Sequence, residues 1–292
     1  GHSQSVKTLS WDPIHPNLLS SGSRDGFICL WDLRCTRRQW QDDSLTSVLA
    51  IRGAHEIWIV NDDGHLCKPP YSWKKTVTSL FYDHDEPYNV ISCGSYNGQL
   101  NCWDLRYLAS LKKKPPRIKV LPKLSSSVDP TNGPGSRRPC GIVSVVQGMY
   151  GTGGIVFVQT TDGIIRTYSA KTLMPLETSY THCNLRVDAF YSKLAVSPDG
   201  SWLASGSNRN IHSVFLFDIQ RAGQYYVDPM AGVGVQINTG ILDIGAVDWC
   251  DGCLASCEAY NVRFWRPDVD IYCTCKENSS EYSREWLWYD GE

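Results

Sequence analysis

The sequence predicts an all-β chain assembled from repeated sheets, each covered on both faces. Three observations carry that prediction. One phrase is written twice: residues 24–34 read RDGFICLWDLR and residues 96–106 read YNGQLNCWDLR. Tight-turn dipeptides recur, Asp25-Gly26, Asn97-Gly98 and Asp162-Gly163, each ahead of a β-prone run. The run from Phe27 to Leu33 is apolar on both sides, where a strand with one wet face would alternate.

The elements follow in order. Val6, Leu9 and Trp11 mark a first strand, which Pro13 and Pro16 end. Leu18, Leu19 and Ser21 begin a second, Asp25-Gly26 turns it, and Phe27 to Leu33 is a third. Leu45 to Ile51 is the candidate fourth. Residues 77–106 are a second copy of the pattern, residues 141–170 a third, residues 192–219 a fourth and residues 241–267 a fifth and most degenerate one. Gly151-Thr152-Gly153-Gly154 falls between two strand runs and reads as a hairpin turn. Two inserts break the period, near residues 36–74 and 108–139. The second contains KKKPPRIKVLPK and then a Ser/Pro/Gly-rich stretch. The acidic, aromatic tail 267–292 either completes the last sheet or packs against another.

Composition narrows the function. A hydrophobic fraction of 42% supports a core, and a net charge of −2 implies no global attraction to nucleic acid or anionic membrane. No run approaches the ~18 apolar residues of a membrane span, and no secretory leader pattern is present. There is no P-loop, dinucleotide fingerprint or nucleophile elbow, and the Ser and His residues are scattered. Of the 12 cysteines, Cys29, Cys93 and Cys102 sit inside strand runs, as small buried hydrophobes of a reducing compartment would. Cys250 and Cys253, with Cys257, Cys273 and Cys275, have two readings: a zinc site, or two strands joined by Asp251-Gly252. No metal ligand set and no cofactor site is otherwise expected.

The pieces Gly-His, Ser-Pro-Asp-Gly, Ala-Ser-Gly-Ser and Leu-Trp-Asp, in that order and spacing, resemble WD40 repeats. The resemblance covers most of the chain and implies a β-propeller of four-stranded blades. Five repeats are visible, against the ~4–8 blades of such folds. The opening Gly-His implies one or two further blades before Gly1, so that 1–292 is expected to be the C-terminal part of a seven-bladed ring. The resemblance also implies a buried hydrogen-bonded set of His2, Ser21 (or Ser23), Asp25 and Trp31, structural in role, which later copies largely lack.

The repeated arginine is the most specific feature. Strand alternation sends Asp32 and Arg34 to one side and Trp31 and Leu33 to the other. Arg34 and Arg106 follow the ends of third strands and so emerge on one edge, opposite the Asp-Gly turns. Arg is suited to interfaces by its planar fork of donors. The plainer expectation is that each arginine pairs with its own aspartate or is merely solvated. The third and fourth copies carry Lys171 and Gln220 instead. The pattern Trp-Asp-any-Arg resembles the box of WD40 substrate receptors of cullin-4 ubiquitin ligases. The resemblance implies that Trp31, Asp32 and Arg34, and Trp103, Asp104 and Arg106, dock the ligase's damaged-DNA-binding adaptor.

Two boxed repeats in succession, an insert containing IRGAH, and the later stretches LAVSPDGSWLASGSNRN and VRFWRP are similar to the denticleless-type receptors. That likeness implies a non-catalytic nuclear receptor which brings replication and cell-cycle proteins, bound to the sliding clamp, to the ligase. A general WD40 scaffold in chromatin, transport or RNA processing, and a propeller enzyme with convergent ionisable groups, are the competing classes. Lys112 to Lys114, Arg117, Lys119 and Lys123 could form a nuclear-import signal, a DNA contact or a solvated loop.

Overall fold

In the computed structural model of the chain, the described residues are 1–35, 47–56, 59–60, 66–67, 76–96, 98–110, 121–126, 140–187, 191–208, 213–220, 235–238, 243–250, 252–258, 261–267 and 288–290. Their regular secondary structure is almost wholly strand. The first sheet contains β1 (Val6–Trp11), β2 (Leu18–Ser23), β3 (Ile28–Asp32) and β4 (Leu49–Ile51), paired in that order. A small hairpin follows, β5 (Ile59–Val60) with β6 (Leu66–Cys67). The second sheet is β7 (Val77–Tyr82), β8 (Asn89–Gly94), β9 (Leu100–Asp104) and β10 (Leu124–Ser125), and a short helix α1 (Leu105–Ser110) leaves the end of β9. The third is β11 (Ile142–Gln147), β12 (Ile155–Thr160), β13 (Ile165–Ser169) and β14 (Pro175–Tyr180). The fourth is β15 (Leu194–Val196), β16 (Trp202–Gly206), β17 (Ser213–Asp218) and β18 (Val235–Asn238), and the fifth is β19 (Ala246–Cys250), β20 (Cys253–Cys257), β21 (Val262–Pro267) and β22 (Trp288–Asp290). Among the described residues, then, there are five four-stranded meanders, the blade unit of a propeller.

The turn chemistry explains the meanders. Gly26 and Gly163 hold φ of 83° and 80°, the left-handed conformation that a tight turn needs and that side chains resist. The second copy differs by one residue. Ser21 pairs with Cys29 in the first sheet, but Ser92 pairs with Asn101 in the second, so the second turn is one residue longer. Ser92, not Cys93, is therefore the structural counterpart of Ser21.

The chain divides into two compact units, residues 1–145 with 168–175, and residues 146–167 with 176–292. In the first unit, Ile28 and Ile51 pack with Val77, Leu80, Val90 and Trp103, and Leu30 and Leu49 lie against that cluster. The sheets approach closely where Gly22 faces Val77, whose Cγ1 is 2.5 Å from the place a Cβ would take. The hydroxyls of Ser20 and Tyr82 meet at 2.7 Å between the sheets, and burial pushes the Tyr82 phenol up to about 12. Thr78 Oγ1 donates to the Ile142 carbonyl at 2.7 Å, tying β7 to β11. In the second unit, Ala195, Ala204, Val214 and Leu216 pack with Ile244, Val247, Leu254 and Trp265.

Some expectations change. The fourth strand of the first sheet is Leu49–Ile51, the later part of the run expected for it; residues 45 and 46 lie outside the described residues. Helix α1 was not expected. Residues 151–154 lie in the hairpin connection between β11 and β12, as expected, and that connection contains a 3-10 turn, Tyr150–Thr152. Part of the tail completes the fifth sheet, because β22 pairs with β21. Lys112 to Lys114, Arg117, Lys119, Cys273 and Cys275, and most of both inserts, lie outside the described residues.

Candidate protein-docking site

The two boxes have the same local architecture. Asp32 closes β3, and its Oδ1 accepts the Arg34 amide at 3.0 Å. The same carboxylate takes the guanidinium side-on, with Arg34 Nε and Nη2 each donating at 2.9 Å. Asp104 closes β9 and repeats the arrangement: the Arg106 amide donates at 2.9 Å, Nε at 3.2 Å and Nη2 at 2.9 Å. A carboxylate one residue ahead of a helix that accepts its second amide is an N-cap, and here it starts α1. The guanidinium bonds hold Asp32 down to about 2 and Asp104 below the ordinary carboxylate range.

Each arginine is thus paired with its own aspartate, the plainer of the two expectations. Pairing does not bury it. The Arg34 and Arg106 side chains remain 65% and 57% exposed. Two of five guanidinium donors face the aspartate, which leaves three for a partner or water. In the fourth sheet the same position behaves otherwise. Asp218 accepts the Gln220 amide at 3.0 Å, but the Gln220 side chain turns back to Ser201 Oγ at 2.9 Å.

A line of contacts joins the two boxes across the β1–β2 turn. Leu33 N donates to the Asn17 carbonyl at 2.9 Å, and the equivalent Leu105 N donates to Tyr88 O at 2.9 Å. In that turn Asp12 accepts the amides of Ile14 and His15 at 2.8 Å and lies 3.2 Å from the His15 ring. The His15 and Tyr88 rings are 6.4 Å apart, and Arg106 lies 4.8 Å over the Tyr88 ring. Ile14, Leu33, Tyr88, Tyr107 and Leu121 are exposed along this edge. Lys123 Nζ, the one described lysine of the basic stretch, lies 3.5 Å from Glu86 Oε2.

His2, Ser21, Asp25 and Trp31 join in one hydrogen-bonded set. Trp31 Nε1 donates to Ser21 Oγ at 2.7 Å, His2 Nε2 lies 2.7 Å from the same oxygen, and His2 Nδ1 is 3.2 Å from Asp25. One tautomer satisfies every group: the Ser21 proton goes to Nε2 and the Nδ1 proton to Asp25. Asp25 also accepts the amides of Phe27 at 2.9 Å and Ser3 at 2.8 Å. Ser23 takes another part, donating to the Gln4 carbonyl at 3.1 Å.

Sequence reasoning missed further sets. His55 Nε2 meets Ser92 Oγ at 2.9 Å, and Trp103 Nε1 donates to that oxygen at 2.9 Å. In the fifth sheet Trp265 Nε1 donates to Ser256 Oγ at 2.9 Å. The expectation that later copies lack most of the set is thus corrected for the second copy. Its histidine comes from Ala54-His55, far ahead of β7 in sequence, and the longer turn hides Ser92 behind Cys93. The Gly-Ala-His of the IRGAH phrase was the available signal. Cys250 and Cys253 face each other across the β19–β20 hairpin, as the two-strand reading expects.

Repeated four-stranded meanders, a His-Ser-Trp set and strand-end Asp–Arg pairs define the class as WD40 repeats. Residues 1–32, 63–104 and 180–212 match the family model for the WD domain, G-beta repeat. The chain is homologous to the denticleless and cdt2 proteins. It is 29% identical to denticleless protein homolog A of Xenopus laevis over 98% of this chain and 38% of that protein. It is 30% identical to cell division cycle protein cdt2 of Schizosaccharomyces pombe over 92% of this chain and 49% of that protein. Protein lethal(2)denticleless of Drosophila melanogaster is 27% identical over 92% of this chain and 33% of its own length. The chain spans less than half the length of these relatives.

Proposed function

We propose that this chain is a non-catalytic, nuclear substrate receptor of a cullin-4 ubiquitin ligase. It docks the damaged-DNA-binding adaptor through Arg34 and Arg106 and presents replication and cell-cycle proteins, held on the sliding clamp, for ubiquitination. The observation that supports this reading best is the pair of matched Asp–Arg units on successive sheets, exposed and set among Ile14, Leu33, Tyr88 and Tyr107. Arginine beside exposed aromatic and aliphatic side chains is the composition of a protein-binding hot spot. Homology to denticleless and cdt2 proteins gives the same direction.

The chemistry assigns separate roles within a box. The tryptophan anchors the strand through its bond to a buried serine. The aspartate fixes the arginine's direction, which lowers the entropy lost when a partner binds. An ion pair in solvent is weak, so the arginine can shift toward a partner's acceptor at small cost. Ubiquitin transfer takes place on other subunits, and this chain contributes proximity.

The test is recovery of the purified adaptor by wild type and by an Arg34→Ala/Arg106→Ala double variant. Recovery falls at least tenfold in the variant while its melting temperature stays within ~2 °C. Equal recovery leaves a general WD40 scaffold as the better account.

A further inference from the structure

We infer that Tyr88 is a positioning and contact residue of the docking edge, holding Arg106 and bridging the two boxes into one strip; this rests on the docking reading above. Arg106 is restrained by a carboxylate and a ring together. Its guanidinium is gripped side-on by Asp104 and lies 4.8 Å over the centroid of the Tyr88 ring. The Tyr88 backbone is fixed by the Leu105 amide, so ring and arginine are referenced to the same strand end. The counterpart of Tyr88 in the first sheet, by that same backbone bond, is Asn17, which supplies no ring to Arg34.

The ring also faces the other way. It is 43% exposed and meets the His15 ring of the β1–β2 turn at 6.4 Å. His15 is in turn held by Asp12, itself buried. The stretch between the boxes is therefore walled by packed rings. On this reading a partner that contacts both arginines also covers the exposed Tyr88 ring, and a flat aromatic with one polar tip loses little entropy on being covered. The fitting partner surface is apolar opposite Tyr88 and carries carboxylate or carbonyl acceptors opposite the arginines. What matters is the π face and not the hydroxyl, since a cation over a ring is held by the ring's quadrupole.

The experiment measures affinity for the purified cullin-4 adaptor by surface plasmon resonance, with melting temperature recorded for every variant. Tyr88→Phe binds within about twofold of wild type. Tyr88→Leu, which keeps apolar bulk without a π face, weakens binding roughly 3- to 30-fold, the range a lost cation–π contact supplies. Tyr88→Leu adds little to Arg106→Ala but multiplies with Arg34→Ala, because leucine keeps the apolar contact with the partner and loses only the ring face that holds Arg106. Wild-type affinity from Tyr88→Leu, or independent multiplication with Arg106→Ala, overturns the inference while leaving the docking reading intact. Failure of wild type itself to bind the adaptor overturns both.

Discussion

His2 and Asp25 show what a single buried charge contributes. Burial works against the Asp25 carboxylate, but the amides of Phe27 and Ser3 and the His2 ring outweigh it and hold the carboxyl below its ordinary value. A carboxyl depressed in the fold stabilises it above its unfolded value, and that contribution disappears as pH falls through the folded value. Asp25→Asn should therefore cost about 1–3 kcal/mol at neutral pH, as expected for buried groups losing a charged acceptor. The difference from wild type should shrink as the solution is made acidic enough to protonate the carboxyl. Urea melts of both proteins across that range check it; a pH-independent gap would assign the loss to packing. At this scale the sequence was legible where residues are local to one another. Asp25, Ser21 and Trp31 lie within one hairpin, and Gly-His precedes it closely. His55 was not legible as a partner of Trp103, because the two are far apart in the chain and only folding brings them to one serine.

Strands meet most tightly where a side chain is missing. A Cβ at Gly22 would stand 2.5 Å from Val77 Cγ1 and 3.1 Å from Leu80 Cδ2 of the second sheet, and 2.8 Å from Thr8 Cγ2 of its own sheet. Gly22→Ala should force these sheets apart and cost roughly 1–3 kcal/mol, the usual penalty of overpacking. Thermal unfolding of the variant measures it, and an unchanged midpoint would mean that the contact is looser than the geometry requires. Gly22 was readable as part of a Ser-Gly-Ser strand but not as a contact point, since its neighbours Val77 and Leu80 belong to the next repeat. The same limit hid helix α1. Trp-Asp-Leu-Arg is identical in both boxes, yet among the described residues only the second continues into a helix. Asp104 also receives the Tyr107 amide at 3.5 Å, whereas Asp32 leads into a turn in which Cys35 N bonds the Asp32 carbonyl at 2.9 Å. Four shared residues do not decide the conformation of the chain beyond them.

Across the whole chain, cysteine exposure gives a measurable map of the folded state. Cys29, Cys93 and Cys102 are buried among the sheets, and burial pushes the Cys102 thiol up to about 11. Cys35, Cys183, Cys250 and Cys257 are exposed. Brief iodoacetamide treatment of the native protein should label the second group and spare the first, because the thiolate is the reactive form and must be reachable. Peptide mass spectrometry before and after unfolding in guanidinium reads the outcome. Rapid native labelling of Cys102 would contradict the burial described.

The sequence by itself determined the all-β class, the repeat period and the turns at Asp25-Gly26 and Asp162-Gly163. These are properties of alternation, turn chemistry and local spacing, which act over a few residues and leave their marks in the chain. The tertiary structure alone decided that each arginine leans on its own aspartate while staying in solvent, that Tyr88 underlies one of them, and that Ser92 rather than Cys93 completes the second buried set. Those outcomes depend on register and on which surfaces of different repeats come within a few ångströms. Both are fixed by packing between segments far apart in the chain, so no local pattern records them.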